Sequence, residues 1–410
     1  MTRIFRLIGI VWLLISGPVI ANPVQKTVQV NGLEREYMVY IPSHPVSNKP
    51  AGILVCLHGF GRTMNDFFEG YNITGIADSL NLIIAAPQAL PEQNALVNLE
   101  AAFINLFLKN PLSLVSVWGC GLGVRVTSML TGKDVLNEEM NKDLNDVSFI
   151  NRMIDEVLSD YDLQEENLFV LGTSMGGYMT YQYALINGKR LSGIISIAGS
   201  MGTKIKGMDY STKIPVCDFH SITDEVVSYT GSEVQLLHNI TLAMPKTDVI
   251  NYWAVTNSTG TPVTEPVRNY PTENKITVEK ITYPEPENEV IHYRINGASH
   301  GYFFKKDSAD CMDHVEEICR FIQSHTVEIP TNNVIVKEQQ LFFYPNPVLD
   351  KININKSTGI ITIYDVTGRN ICSQSFTDGQ ADLSFLKPGL YFIRIQSGNT
   401  IQTAKLIKKF

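Results

Sequence analysis

Three side chains able together to cleave an ester or amide bond each follow a short apolar run in this chain. Ser174 stands in Gly-Thr-Ser-Met-Gly, residues 172–176, between "NLFVLG" and the helix-like "YMTYQYAL". Gly172 and Gly176 flank it as a sharp strand-to-helix turn requires, because such a turn lifts the hydroxyl clear of the backbone and leaves no room for bulky neighbours. A serine hydroxyl is a weak nucleophile at neutral pH, so it needs a base for its proton and a carboxylate to orient that base. On such a turn the acid and then the base follow later in the chain. Asp224 lies just past the apolar strand "IPVCDFHS", and His300 lies in the loop after the strand-like "NEVIHYRIN". Asp218 is the rival acid, but it falls inside its strand; His292 alternates within a strand and reads as a packed or surface residue. The oxyanion formed by attack needs donors, and the backbone N–H groups of Met175 and of Phe60, in "LVCLHGFGRT", are placed to supply them. His58 reads as a brace for that loop.

The elements that must position these residues are visible from Val24 to about Ser324. Short apolar runs, "GILVCLHG", "NLIIAAPQ", "NLFVLGTS", "GIISIAGS" and "IPVCDFHS", alternate with amphipathic stretches, which predicts an α/β domain with a mostly parallel central sheet. "REYMVYIP" alternates like a half-buried strand. Val147, Ile150, Ile154, Val157 and Leu158 recur at helical spacing, so a helix leads into the strand that ends at Ser174. Residues 95–145 break the rhythm with "LVNLEAAFINLFLKNPLSLVSVW", the glycine-rich "GCGLG" and a polar helix-like stretch; they read either as a lid or substrate wall, or as extra packing.

At the N-terminus, Arg3 and Arg6 precede an apolar run from Leu7 to Ile15, a Gly17-Pro18 break and the small residues Val19 and Ala21. This is the layout of a signal peptide over residues 1–21, cleaved after Ala21, and the run is short for a span of ~20 residues. The expected mature chain has no transmembrane segment. Residues 22–326 form the expected catalytic domain and 327–340 a linker; from 341 to 410 short alternating strands separated by turn signals predict a small all-β sandwich. That tail holds eight Lys and Arg against four Asp, a balance of +4, which leaves -12 on the rest of a chain of net charge -8. No basic stripe is present to neutralise phosphates, so no nucleic-acid partner is expected. The six cysteines show neither zinc spacing nor a small-domain disulfide framework. Cys56 and Cys217 sit in strand-like runs as buried thiols. Cys311 and Cys319, eight residues apart on one expected helix, would be about 12 Å apart, beyond disulfide reach. The chemistry calls for no metal and no organic cofactor.

The stretches "LVCLHGFGRTMNDFFEGYNITGIADSLNLIIAAPQAL", "NDVSFINRMIDEVLSDYDLQEENLFVLGTSMGGYM", "IPVCDFHSITDEVVSY" and "GASHGYFF" resemble the α/β-hydrolase fold, and within it the secreted polyhydroxybutyrate depolymerase and feruloyl esterase group. The resemblance runs over residues 27–324 and implies that Ser174, Asp224 and His300 are nucleophile, acid and base of a secreted serine esterase acting on extracellular ester or polymer substrates. The chain departs from that group at Ser221, where glycine is usual, and at Gly301-Tyr302, where an aromatic–proline pair is common. "FYPNPVLDKININ", "ITIYDVTGR", "LKPGLYFIRI" and "AKLIKK" resemble the C-terminal sorting domain of the type IX secretion system of Bacteroidetes. That resemblance implies a partnership of residues 341–410 with the secretion machinery and a secreted or cell-surface location. Two other readings compete: a serine peptidase, because the same three side chains serve amides and esters, and a non-catalytic adhesion module. An adhesive surface has no need of all three side chains. A carbohydrate-binding sandwich accounts for the tail's strands but not for "YPNP" and "KPGLY".

Overall fold

The computed structural model describes residues 22–42, 50–71, 73–92, 115–127, 131, 134–163, 165–202, 212–231, 233–235, 239–241, 243–267, 276–302, 312–327, 343–344, 346–354, 356–366, 368–397 and 400–409. The expected signal segment lies outside them, as do most of the expected linker and residues 95–114, 128–130, 132 and 133 of the 95–145 stretch. The chain divides into two compact units that meet between Ile329 and Pro330.

In the first unit, β1 (Val24–Val30), β2 (Leu33–Tyr40), β3 (Gly52–Leu57), β4 (Leu82–Pro87), β7 (Leu168–Thr173), β8 (Gly193–Ile197), β9 (Val216–Ser221), β12 (Val263–Pro266), β13 (Thr277–Tyr283) and β14 (Val290–Asn296) build one ten-stranded sheet in the order β1-β2-β4-β3-β7-β8-β9-β14-β13-β12. The run from β4 to β14 is parallel, and the strands at both margins are antiparallel. Every residue of β3, β4, β7, β8 and β9 is buried. Such strands read as unbroken apolar runs because both faces are covered.

The period of two still decides which face each side chain joins. Leu168 and Val170 enter one core with the helices α3 (Asp146–Asp160), α4 (Met175–Asn187) and α5 (Lys246–Asn257), whereas Phe169 and Leu171 enter the other with α2 (Ile73–Leu80) and α6 (His314–Ser324), near the short α1 (Asp66–Glu69). The Asn145 side chain caps α3 by accepting the Ser148 N–H at 3.1 Å. Its next residue, Asp146, holds Arg35 of β2 in a fully buried ion pair at 2.7 Å. The other Asp146 oxygen takes the Gly119 N–H at 2.8 Å, which ties the 95–145 stretch to the body.

One expectation is corrected here. The stretch after "GCGLG" is a hairpin of β5 (Gly123–Thr127) and β6 (Asp134–Glu139), not a helix; β-branched Val124, Val126 and Thr127 favour the extended backbone. Cys319 lies in α6, which Asp313 caps by accepting the Glu316 N–H at 3.0 Å, and Cys311 lies outside the described residues. A second hairpin, β10 (Glu233–Gln235) with β11 (Asn239–Thr241), packs near β5.

In the second unit β15 (Phe343–Tyr344), β16 (Lys351–Ile354) and β19 (Gln380–Asp382) form one antiparallel sheet. A second antiparallel sheet follows the order β18 (Asn370–Phe376), β17 (Gly359–Tyr364), β20 (Gly389–Ser397), β21 (Thr400–Lys408). Ile352 and Ile354 of the first sheet share a core with Ile361, Ile363, Ile393 and Ile395 of the second, the alternation that sheet-on-sheet packing demands.

Candidate active site

The turn between β7 and α4 carries Ser174 at φ 54° and ψ -120°, a conformation that L side chains rarely adopt. It persists because its surroundings leave no alternative. The Ser174 N–H donates to the Ile197 carbonyl at 2.7 Å, and the Ser174 carbonyl accepts from Gly177 at 2.8 Å. A Cβ on Gly172 would overlap the Gly176 carbonyl, and one on Gly176 would overlap the Leu57 carbonyl. Both glycines of the motif are therefore required by backbone contact.

The loop after β14 brings His300 to this serine. His300 Nε2 lies 2.9 Å from Ser174 Oγ, and His300 Nδ1 lies 2.8 Å from Asp224 Oδ2. Asp224 sits in the turn after β9, where its Oδ1 accepts the N–H groups of Val226 at 2.9 Å and Val227 at 2.8 Å. Burial pushes the Asp224 carboxyl up, but the hydrogen bond and charge of His300, then His220 and the Val227 N–H, outweigh it and hold the group below its ordinary value. Ser174, His300 and Asp224 thus form one hydrogen-bonded line, whereas Asp218 stands apart from it. With Asp224 as acceptor, Nδ1 is the protonated nitrogen of the neutral ring, and Nε2 is free to accept from the serine hydroxyl.

On the other side of the serine, the loop after β3 runs close enough that a Cβ on Gly59 would stand 3.3 Å from the Ser174 Cβ. Phe60 is the next residue. Met175 begins α4, where the first N–H groups have no partner within the helix. His58 holds the β3 loop from inside: its Nε2 accepts the Ala89 N–H at 3.0 Å, so Nδ1 carries the proton and donates to the Gly59 carbonyl at 2.8 Å. Trp118 adds an indole N–H to the His58 carbonyl at 2.8 Å. The described part of the 95–145 stretch around Trp118 is therefore core that braces this loop.

A buried polar chain behind the site is the feature least visible in the sequence. Asp218 Oδ1 accepts from Lys246 Nζ and from the Tyr181 hydroxyl, each at 2.7 Å; Asp218 Oδ2 meets His292 Nδ1 at 2.8 Å, and His292 Nε2 meets the Tyr229 hydroxyl at 2.9 Å. Burial pushes Asp218 up, but Lys246 and then His292 outweigh it and hold the carboxyl well below its ordinary range; burial lowers Lys246. His292, open between packed and surface in the sequence, is packed.

Three buried imidazoles make stability depend on pH. Burial lowers His58, His220 and His314 to about 4, whereas a histidine in the unfolded chain titrates near ~6.5. Between these values the unfolded chain binds protons that the folded chain refuses, so the stabilising contribution is complete above the unfolded value and is lost as pH falls toward 4. Each group removes roughly 1.4 kcal/mol per pH unit in that window. The urea midpoint is expected to fall steeply between pH 6.5 and pH 4.5 at unchanged slope; a constant midpoint across that range would refute it.

Residues 133–248, which include Ser174 and Asp224, match the phospholipase/carboxylesterase family, and residues 342–409 match the secretion system C-terminal sorting domain. Among curated proteins, "Probable feruloyl esterase C" of Aspergillus niger is 25% identical over 223 residues; the match covers 53% of this chain and spans 63% of that relative's length. Among solved structures, an acetyl xylan esterase from Aspergillus awamori is 14% identical, with a TM-score of 0.46, over 73% of this chain and 99% of that one. An S-formylglutathione hydrolase from Agrobacterium tumefaciens is 12% identical, with a TM-score of 0.43, over 73% of this chain and 94% of that one. The first unit thus has an α/β-hydrolase-like fold whose residues 133–248 match the phospholipase/carboxylesterase family, and residues 342–409 match the secretion system C-terminal sorting domain.

Proposed function

We propose that this protein is an exported serine hydrolase of carboxylic esters, acting on polymer-linked or short-chain esters outside the cell. The observation that carries this reading is the single hydrogen-bonded line from Ser174 through His300 to Asp224. Ser174 Oγ attacks the ester carbonyl while His300 Nε2 takes its proton, and Asp224 stabilises the imidazolium through Nδ1. The N–H groups of Phe60 and Met175 receive the oxyanion. Collapse of the tetrahedral intermediate transfers the proton from Nε2 to the departing alcohol and leaves an acyl-serine. Water, deprotonated by the same nitrogen, then releases the acid and restores Ser174.

The sorting domain supports export, and export suits a substrate too large to enter the cell. Residues 1–21 would serve as the signal segment, 22–326 as the catalytic domain and 341–410 as the address read by the secretion machinery.

The test is hydrolysis by the purified chain from residue 22 onward of a panel of p-nitrophenyl acyl esters, methyl ferulate, acetylated xylan and polyhydroxybutyrate. Release from at least one class at pH 7–8, titratable by a fluorophosphonate, is expected. Peptide cleavage with no ester release would replace this reading with a peptidase.

A further inference from the structure

Behind the acid lies a histidine that the ester chemistry does not use. His220, on β9, is fully buried; its Nε2 is 2.8 Å from the Val227 carbonyl and its Nδ1 is 3.1 Å from the Gly199 carbonyl. Those two carbonyls belong to the two halves of the site. Val227 closes the turn in which the Val226 and Val227 N–H groups hold Asp224 Oδ1, and this turn fixes the rotamer that aims Oδ2 at His300. Gly199 lies against the nucleophile turn, where a Cβ would come within 2.7 Å of Gly177 Cα and 2.9 Å of the Ser174 carbonyl. One imidazole therefore spans from the acid's turn to the back of the nucleophile.

The ring is held on its open side as well. Tyr229 stands edge-on to it at 5.8 Å, and the Tyr229 hydroxyl is fixed by His292, which Asp218 and Lys246 anchor in turn. Asp224 Oδ2 is 3.7 Å from His220 Nε2, beyond hydrogen-bond reach. Burial and then Lys246 lower this imidazole to about 4, so at neutral pH it has one N–H and donates to one carbonyl alone; the shorter contact puts that proton on Nε2, facing Val227, and the Nδ1 edge meets the Gly199 carbonyl as a packing contact.

We propose that His220 is a positioning residue: touching neither substrate nor reacting atoms, it holds the Asp224 turn in register with the Ser174 turn, so that the line to His300 is formed before substrate arrives. The proposal rests on the ester-hydrolase reading. A misplacement of about 1 Å in a catalytic group costs on the order of 100-fold in rate. Alanine at 220 removes the link, glutamine restores a donor at the Nε2 position, and asparagine reaches only as far as Nδ1.

The experiment compares His220→Ala, His220→Gln and His220→Asn in the full exported chain, with p-nitrophenyl acetate as substrate and a fluorophosphonate as probe of serine reactivity. In His220→Ala, kcat and the fluorophosphonate labelling rate are each expected to fall about 100-fold with KM within about twofold, and His220→Gln should recover to within about tenfold of the parent. A kcat for His220→Ala within threefold of the parent overturns the proposal, as does a glutamine variant no better than alanine. If the alanine variant is not recovered folded, the other two decide, because asparagine matching glutamine also overturns it. Ser174→Ala run alongside separates the failures: turnover surviving there overturns the ester-hydrolase reading and this proposal together. Turnover lost there but kept in His220→Ala overturns the positioning role alone.

Discussion

Ser174→Ala is expected to lower ester turnover by about 10⁵-fold or more while leaving the chain folded. The size follows from the arrangement. Once Oγ is gone, His300 Nε2 has no hydroxyl to deprotonate, and water at that position lacks the fixed approach that the turn gives the serine. In the proposed mechanism what survives is the contribution of the Phe60 and Met175 donors and of substrate binding, about 10³- to 10⁴-fold over the uncatalysed rate. Stability should move the other way in a companion variant. Ser174 is held at φ 54°, a strain of ~1–3 kcal/mol that glycine does not feel. Ser174→Gly is therefore expected to be inactive and to melt a few degrees above the parent, by roughly 1 kcal/mol of added stability. Full ester turnover in either variant would remove Ser174 from the mechanism. A Ser174→Gly melt below the parent would show that the turn is not strained.

Much of this site was legible because it rests on local sterics. Gly172 and Gly176 stand where backbone atoms of Gly176 and Leu57 exclude a Cβ, and such exclusion shows in sequence as glycine. Asp224 and His300 could be placed because each follows a strand of a parallel sheet, and residues at those strand ends share one rim. The Lys246–Asp218–His292 chain was not legible, for a physical reason. Asp218 and His292 face each other only because β9 and β14 pair in one particular register, and a single sequence does not state which residues of two strands are opposite. Lys246 stands in the first turn of α5, a position that sequence reading gives to solvent, yet its ammonium is buried against that carboxylate. His220 carries no signal of its own in the sequence, where only its neighbour Ser221 departs from the group's pattern, since what defines His220 is two carbonyls brought to it by the fold. The hairpin in place of a helix after Gly123 has a similar origin, because polar stretches carry a weak period and tertiary context decides them.

Asp224→Asn carries the second large effect, and here the side chain's anchoring determines the outcome. Asp224 Oδ1 accepts two backbone N–H groups, so an asparagine in its place keeps its carbonyl oxygen there and turns its NH₂ toward His300. An NH₂ group facing Nδ1 needs an acceptor, so His300 must carry its single proton on Nε2, the nitrogen that has to receive the serine proton. The base is then blocked in its resting state, and kcat is expected to fall by about 10⁴-fold at pH 7, with KM changed little and the fold retained. Asp218→Asn should behave in the opposite manner. It leaves the His300 tautomer untouched but strips the buried Lys246 of its counter-charge, so the loss there is one of stability, about 3–5 kcal/mol. Steady-state kinetics and urea melts of the two variants side by side distinguish the acid of the reaction from its rival in the strand. If Asp224→Asn kept turnover within tenfold of the parent while Asp218→Asn stayed folded and lost it, the roles given to the two aspartates would have to be exchanged.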